Sequence, residues 1–91
     1  MIYCFDLDDT LIETHGGDYA ASKPIQDNIN KVNELYKKHT IIINTGRAEI
    51  WEDFTKIQLM TFKIKYHVLV LGKPYADLYI DDKGTNIKDF F

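Results

Sequence analysis

The chain has 91 residues, a formal net charge of −3 and an apolar fraction of 45%. This length fits a single domain, 1–91, and the composition excludes an intrinsically disordered chain. No apolar run approaches the roughly 20 residues of a membrane span, and no secretion signal is visible. We therefore expect a soluble, cytoplasmic protein without a membrane partner, and the acidic charge argues against nucleic acid as a partner.

The first predicted element is a strand, Ile2–Asp6, that ends in carboxylates. Asp6, Asp8 and Asp9 follow one another within four positions. Asp6 and Asp8 would share one side of an extended chain, and two anions that close repel each other unless a cation lies between them. A hard divalent ion such as Mg²⁺, which takes oxygen ligands, is the simplest explanation.

The elements that follow alternate between helices and strands. An irregular loop is predicted over 7–22, with a short hairpin arm at Leu11–Ile12 as an option. This alternation favours a parallel sheet with right-handed crossovers. The predicted bounds are a helix from Ser22–Pro24 to Tyr36, a strand Thr40–Asn44, a helix Ala48–Lys63, and strands His67–Leu71 and Ala76–Ile80. The apolar side of the second helix is expected in the core, and its members are Ile50, Trp51, Phe54, Ile57, Leu59 and Met60.

Every predicted strand ends in a polar group. In an open parallel sheet, ligands bind outside the carboxyl ends of the strands, so we expect these groups to meet at one edge. Together they offer a metal site, a phosphate-binding hydroxyl and a counter-cation, which is the set that stabilises a transferring phosphoryl group. In strand order they are Asp6 with Asp8, Thr45, Lys73, and Asp81 with Asp82.

Two residues after Thr45 are open to more than one interpretation. Gly46 would permit a tight turn, and Arg47 could contact phosphate or substrate. Taken singly, Thr45 could instead be a helix cap, and Lys73 a solvated lysine in a turn before Pro74.

The motif Asp6-Leu7-Asp8-Asp9-Thr10, followed by Thr45, Lys73 and Asp81-Asp82, resembles the four-motif signature of haloacid dehalogenase (HAD) superfamily phosphatases, in the same order. The resemblance implies an α/β fold with a three-layer Rossmann-like core. About four parallel strands in the order 3-2-1-4 would carry flanking helices, without a cap domain. It also implies a Mg²⁺-dependent phosphomonoester hydrolase that forms an aspartyl-phosphate, acting on a small phosphorylated metabolite such as a sugar phosphate.

The resemblance gives each motif residue a role. Asp6 would be the nucleophile, and Asp8 would protonate the leaving oxygen and then activate water. Phosphate binding would fall to Thr45, Gly46 and Lys73. The metal would be held by Asp6, Asp8 through its carbonyl, and Asp81, with Asp82 and Arg47 in support.

Alternatives from other functional classes stay open at this point. A receiver-like phospho-acceptor domain also combines acidic residues, a Thr and a Lys-Pro at strand ends. In a receiver the acidic pair comes first and the phosphorylated Asp lies on a middle strand, whereas here Asp6 and Asp8 come first and the pair Asp81-Asp82 comes last. A catalytically idle binding module is the other option. The leaving group would contact some of Tyr19, Arg47, Trp51 and Tyr75. Without a cap, a neighbouring subunit of a homo-oligomer could act as a lid.

Overall fold

The computed structural model describes residues 1–14, 18–71 and 78–80. Of Leu78 and Tyr79 it describes the backbone only. Lys73, Tyr75, Asp81 and Asp82 therefore lie outside the described residues. The strands are β1 (Ile2–Asp6), β2 (Ile12–Glu13), β3 (Lys23–Pro24), β4 (Thr40–Thr45), β5 (Val68–Leu71) and β6 (Leu78–Ile80). The helices are α1 (Gln26–Tyr36) and α2 (Glu52–Thr61), with short 3₁₀ helices at Tyr19–Ala21 and Glu49–Trp51.

Four strands form one parallel sheet in the order β5-β4-β1-β6, which is 3-2-1-4 when these four are numbered along the chain. β1 and β4 are its two central strands, and both are continuous apolar runs buried along most of their length. Such runs are typical of parallel strands covered on both faces. The register pairs Asp6 with Asn44, so the carboxyl ends of the two strands lie side by side.

The two faces of this sheet are covered differently. Alternate residues of β1 and β4, among them Phe5 and Ile43, join the main apolar cluster, and so do Ile29 of α1 and Leu59 of α2. Within the described residues, the opposite face contributes a separate small cluster around Cys4 and Ile42 that includes no residue of α1 or α2. Both helices therefore share one core with the same side of the sheet.

The predicted loop over 7–22 contains regular structure. β2 pairs with β3 in a small antiparallel sheet, with Ile12 opposite Pro24. Leu7, Leu11 and Ile12 are fully buried in the main cluster, which ties this segment to the core through its apolar side chains. Burial of those leucines and isoleucine stabilises residues 7–14 against the core.

These observations correct the predicted fold class. The described residues form a parallel sheet with two helices sharing one core, plus a second, antiparallel sheet. The chain is thus a small α/β fold, and the predicted three-layer Rossmann-like HAD core is wrong for the part that the structure describes. None of its helices is long and apolar enough to cross a membrane, among the residues described.

The start of α1 also differs from the prediction. Ser22–Pro24 was expected to open the helix, but Lys23 and Pro24 belong to β3, and α1 begins at Gln26. Pro24 is engaged opposite Ile12, which holds it in an extended conformation. Ile29 and Val32 of this helix are fully buried against the sheet.

α2 is shorter than predicted and differently oriented. The expected helix over Ala48–Lys63 is a 3₁₀ helix followed by α2, which ends in a Schellman motif. There the N–H of Ile64 donates to the carbonyl of Leu59 and that of Lys63 to Met60, with Lys63 at a φ of 57°. The predicted apolar side is wrong for several members, which lie exposed: Ile50 (88%), Met60 (73%), Ile57 (59%) and Trp51 (39%). Thr55 and Gln58 are buried instead, and the site explains why.

Candidate functional site

The site lies at the carboxyl edge of the two central strands. Asp6 is the last residue of β1 and is half-buried, and Thr45 is the last residue of β4 and is fully buried. Asp8 follows β1 in the loop that leads to β2, and its Oδ2 lies 3.5 Å from the Thr45 hydroxyl. Of the predicted site residues, the structure thus brings Asp8 and Thr45 into contact and places Asp6 at the end of the strand beside β4.

The carboxylate of Asp8 is held by Arg47. Arg47 donates from Nη2 to Oδ1 at 2.7 Å and from Nε to Oδ2 at 3.1 Å, a two-pronged ion pair. The Arg47 side chain is 0% exposed and that of Asp8 25%. Thr14 adds a third hydrogen bond, donated by its hydroxyl to Oδ1 at 2.8 Å. The planar guanidinium and carboxylate groups match in geometry, so the two parallel hydrogen bonds hold the Asp8 carboxylate in one orientation.

Polar residues of α2 hold the other side of Arg47. Its Nη1 donates to the Thr55 hydroxyl at 3.0 Å and to Oε1 of Gln58 at 2.9 Å. Its backbone N–H donates to the Thr45 hydroxyl at 3.1 Å. A buried guanidinium needs acceptors for its donors, so these contacts explain why a threonine and a glutamine face inward from α2.

Arg47 also joins the site to the 3₁₀ helix at Tyr19–Ala21. Its guanidinium carbon lies 4.1 Å from the centroid of the Tyr19 ring, a cation–π contact. Gln58 donates from Nε2 to the backbone carbonyl of Tyr19 at 2.8 Å. One buried glutamine therefore contacts both Arg47 and the backbone that carries Tyr19.

Three aromatic side chains pack in a row that begins at the Tyr19 ring on Arg47. Tyr19 and Trp51 meet edge to face with their centroids 5.0 Å apart, and Trp51 and Phe54 meet in the same way at 5.5 Å. Such tilted arrangements are preferred by aromatic pairs. We call Tyr19, Trp51 and Phe54 the aromatic wall. Of the four residues expected near a leaving group, Tyr19, Arg47 and Trp51 are brought together, while Tyr75 lies outside the described residues.

Sequence reasoning missed Thr14, Thr55 and Gln58. A signal for two of them was present, because Thr55 and Gln58 are polar residues three positions apart, which places them on one side of a helix. The apolar periodicity of the neighbouring residues concealed it. Gly46 is not required by crowding, since an added Cβ would meet nothing within 4 Å.

The predicted magnesium site consists of Asp6, Asp8 and Asp81, and Asp81 lies outside the described residues. Within residues 1–14, 18–71 and 78–80, no group of three or more His, Cys, Asp or Glu side chains is placed to hold a metal. Both carboxylate oxygens of Asp8 are occupied by Arg47, so this side chain is not a free ligand. The roles predicted for the Asp6 carboxylate and the Asp8 backbone carbonyl in a Mg²⁺ site stay predictions. Both are oxygen ligands of the kind that Mg²⁺ takes.

Comparisons with known proteins find a solved structure with a similar fold but no matching family. No protein-family model matches the sequence, and no curated protein matches it. A chain in the solved structure titled "Structure of Pnkp1/Rnl/Hen1 complex" is similar in fold, with a TM-score of 0.69 and 20% sequence identity. The match covers 88% of this chain and 30% of that one, so the present chain spans less than a third of its neighbour's length.

These findings correct the family assignment made from the motifs. A haloacid dehalogenase superfamily assignment would require a matching family or relative, and the similarity found is instead to a chain of the Pnkp1/Rnl/Hen1 complex. The assignment to that superfamily is therefore withdrawn. At 20% identity the likeness is one of fold, and the chemistry has to be argued from this chain's own residues.

Proposed function

We propose that this chain is a phosphomonoester hydrolase that uses Asp6 as nucleophile and requires Mg²⁺. One observation carries the proposal: Asp6 and the buried Thr45 end two adjacent parallel strands, and the Thr45 hydroxyl contacts Asp8. Carboxyl ends of central parallel strands are where open α/β sheets bind ligands. These positions support the assignment of a carboxylate nucleophile, a second carboxylate and a hydroxyl to one phosphoryl-binding edge.

The reaction proceeds in two displacements. A carboxylate oxygen of Asp6 attacks phosphorus, the bond from phosphorus to the ester oxygen breaks, and the leaving oxygen takes a proton from Asp8. Asp8 has taken up that proton from solvent after its ion pair with Arg47 opened. Water then attacks phosphorus of the aspartyl-phosphate, the bond to the Asp6 oxygen breaks, and Asp8 takes the proton from water. Splitting the hydrolysis in this way replaces one difficult step by two easier ones. Inorganic phosphate leaves, and both carboxyl groups return to their starting states.

Other residues bind and orient the phosphoryl group. The Thr45 hydroxyl would donate to a phosphoryl oxygen, and Lys73 would supply a positive charge beside it. Mg²⁺, when bound to Asp6, the Asp8 carbonyl and Asp81, supplies charge that stabilises the phosphoryl oxygens. Arg47 sets a condition on this scheme. Because it engages both oxygens of Asp8, the ion pair has to open on at least one side before Asp8 exchanges a proton with the substrate.

The test is hydrolysis of a generic aryl phosphate by the purified chain. We expect phosphate release with Mg²⁺ that stops when EDTA is added, and a loss of roughly a thousandfold or more in kcat for Asp6→Asn. Asp9→Asn is the matched control. Asp9 is an exposed carboxylate three residues along, and its Oδ1 accepts from the backbone of Thr14, which an asparagine preserves. Wild-type kcat in Asp6→Asn would refute the nucleophile assignment.

The same preparation distinguishes the receiver-like alternative. After incubation with a small phosphodonor, a hydrolase releases inorganic phosphate and its phosphoenzyme is short-lived. A phosphoprotein that persists without release of inorganic phosphate would favour a signalling role. Mass spectrometry of the intact chain, compared with Asp6→Asn, measures the phosphorylated fraction directly.

A further inference from the structure

The aromatic wall is built and partly exposed beside the proposed phosphoryl site. Trp51 keeps 39% of its surface exposed, although it contacts both Tyr19 and Phe54. Tyr19 makes three contacts: its ring with the guanidinium of Arg47, its ring with Trp51 in a T-shaped pair, and its backbone carbonyl with Gln58. A rigid aromatic surface binds a flat ring with little loss of conformational freedom.

We propose that the wall is the leaving-group subsite and that it selects nucleoside monophosphates by stacking the nucleobase on Trp51. This rests on the proposed phosphatase function and adds the substrate class to it. Aromatic side chains stack on every type of base, because each base has a π-face. The substrate is then a sugar phosphate that carries a base, which is narrower than the sugar phosphate expected from the sequence.

Spacing within the site favours a nucleotide over a simple aryl phosphate. Arg47 contacts both Asp8 and Tyr19, and Tyr19 contacts both Arg47 and Trp51, so two side chains link Asp8 to Trp51. We therefore assign Trp51 to a base that a sugar separates from the phosphate, which is a longer ligand than a ring bonded directly to the phosphate.

Charge favours a free nucleotide over a nucleic-acid strand. The chain carries a net charge of −3, which repels a polyanion. The guanidinium nearest the wall is already neutralised by Asp8, so it offers no free positive charge to a second phosphate. A single phosphate bound at Asp6 and Thr45 is compatible with both facts.

Binding is measured first, because it does not depend on turnover. Trp51 is the chain's one tryptophan, so tryptophan fluorescence reports on this subsite alone. Asp6→Asn is titrated with guanosine 5′-monophosphate, with ribose 5-phosphate and with phenyl phosphate. We expect saturable quenching by the nucleotide at concentrations at least tenfold below those of the other two ligands. Equal responses to all three would overturn the subsite. Tighter binding of a terminally phosphorylated oligonucleotide would overturn the assignment to a free nucleotide.

Kinetics then test selectivity. Trp51→Ala should lower kcat/KM for the nucleotide by roughly 5- to 150-fold, the range that stacking on one aromatic side chain supports, and leave ribose 5-phosphate unchanged. Trp51→Phe, which keeps an aromatic ring, should retain most of the wild-type kcat/KM for the nucleotide. Ile57→Ala, which removes another exposed apolar side chain of α2, is the matched control. Equal losses for both substrates would overturn the inference.

Failure of this inference is distinguishable from failure of the proposed function. Quenching by the nucleotide without hydrolysis of any phosphomonoester would leave the subsite standing and refute the phosphatase. Hydrolysis of nucleotide and ribose 5-phosphate at equal kcat/KM, unchanged in Trp51→Ala, would refute the subsite and leave the phosphatase standing.

Discussion

Replacing Arg47 by methionine tests the buried ion pair on which the site is built. The change keeps an unbranched side chain in the cavity but removes four hydrogen bonds donated by the guanidinium: two to Asp8, one to Thr55 and one to Gln58. It leaves the Asp8 charge unpaired in a place where its side chain is 25% exposed. Removing one partner of a buried pair costs about 3–5 kcal/mol, and the partial exposure of Asp8 favours the lower end.

We therefore expect the free energy of unfolding to fall by about 3 kcal/mol in Arg47→Met. The total free energy of unfolding of a domain of this size is only about 5–14 kcal/mol. Because each kcal/mol lost lowers the melting temperature by several degrees, the melting temperature should drop by about 10–25 °C. Urea unfolding followed by circular dichroism measures the change. The control is Lys37→Met, which removes an ion pair with Glu34 whose side chains are 60% and 73% exposed. That variant should lose less than about 0.5 kcal/mol.

A double variant separates the pair from its surroundings. Asp8→Asn combined with Arg47→Met leaves neither charge unpaired, so its loss should be smaller than the sum of the two single losses by at least about 1 kcal/mol. A loss in Arg47→Met no larger than that in Lys37→Met would refute the reasoning. Strict additivity in the double variant would show that Arg47 acts through Thr55 and Gln58 alone.

Two further predictions concern the scaffold. Lys63→Gly should stabilise the fold by about 0.5–1 kcal/mol, because Lys63 has a φ of 57° after α2, a conformation that glycine adopts without strain. Urea unfolding measures the change in the free energy of unfolding, and a loss of stability would contradict the Schellman geometry. Leu59→Ala should lower the free energy of unfolding by about 2–5 kcal/mol, because Leu59 is fully buried in the main cluster. Ile57 is 59% exposed, so Ile57→Ala should change the free energy of unfolding by less than about 0.5 kcal/mol. Similar losses in both variants would contradict the burial of Leu59 and the exposure of Ile57.

Prediction from sequence succeeded where one local pattern dominated. β1 was expected at Ile2–Asp6 and is observed there, and the isoleucine run predicted β4 to within one residue. Parallel pairing of these strands followed from the helix between them and is confirmed by their register. The roles of Asp6 and Thr45 stay predictions, although their positions at adjacent strand ends follow from the same patterns.

Prediction failed where a distant partner decided the outcome. Leu59 of α2 lies in the core as expected, but Ile57 and Met60 are exposed. Arg47 needs buried acceptors, and Thr55 and Gln58 supply them from the side of the helix that faces inward. Pro24 suggested a helix start, but pairing with Ile12 across the small sheet keeps it extended.

The sequence by itself determined where the central strands lie and that carboxylates and a threonine follow them, because hydrophobic periodicity and strand ends are local properties of the chain. Only the tertiary structure decided that Arg47 pairs with Asp8 and that Tyr19 and Trp51 meet beside it. Those contacts join residues far apart in the chain. They form because a buried charge must find an opposite charge and hydrogen-bond partners wherever folding brings them within reach.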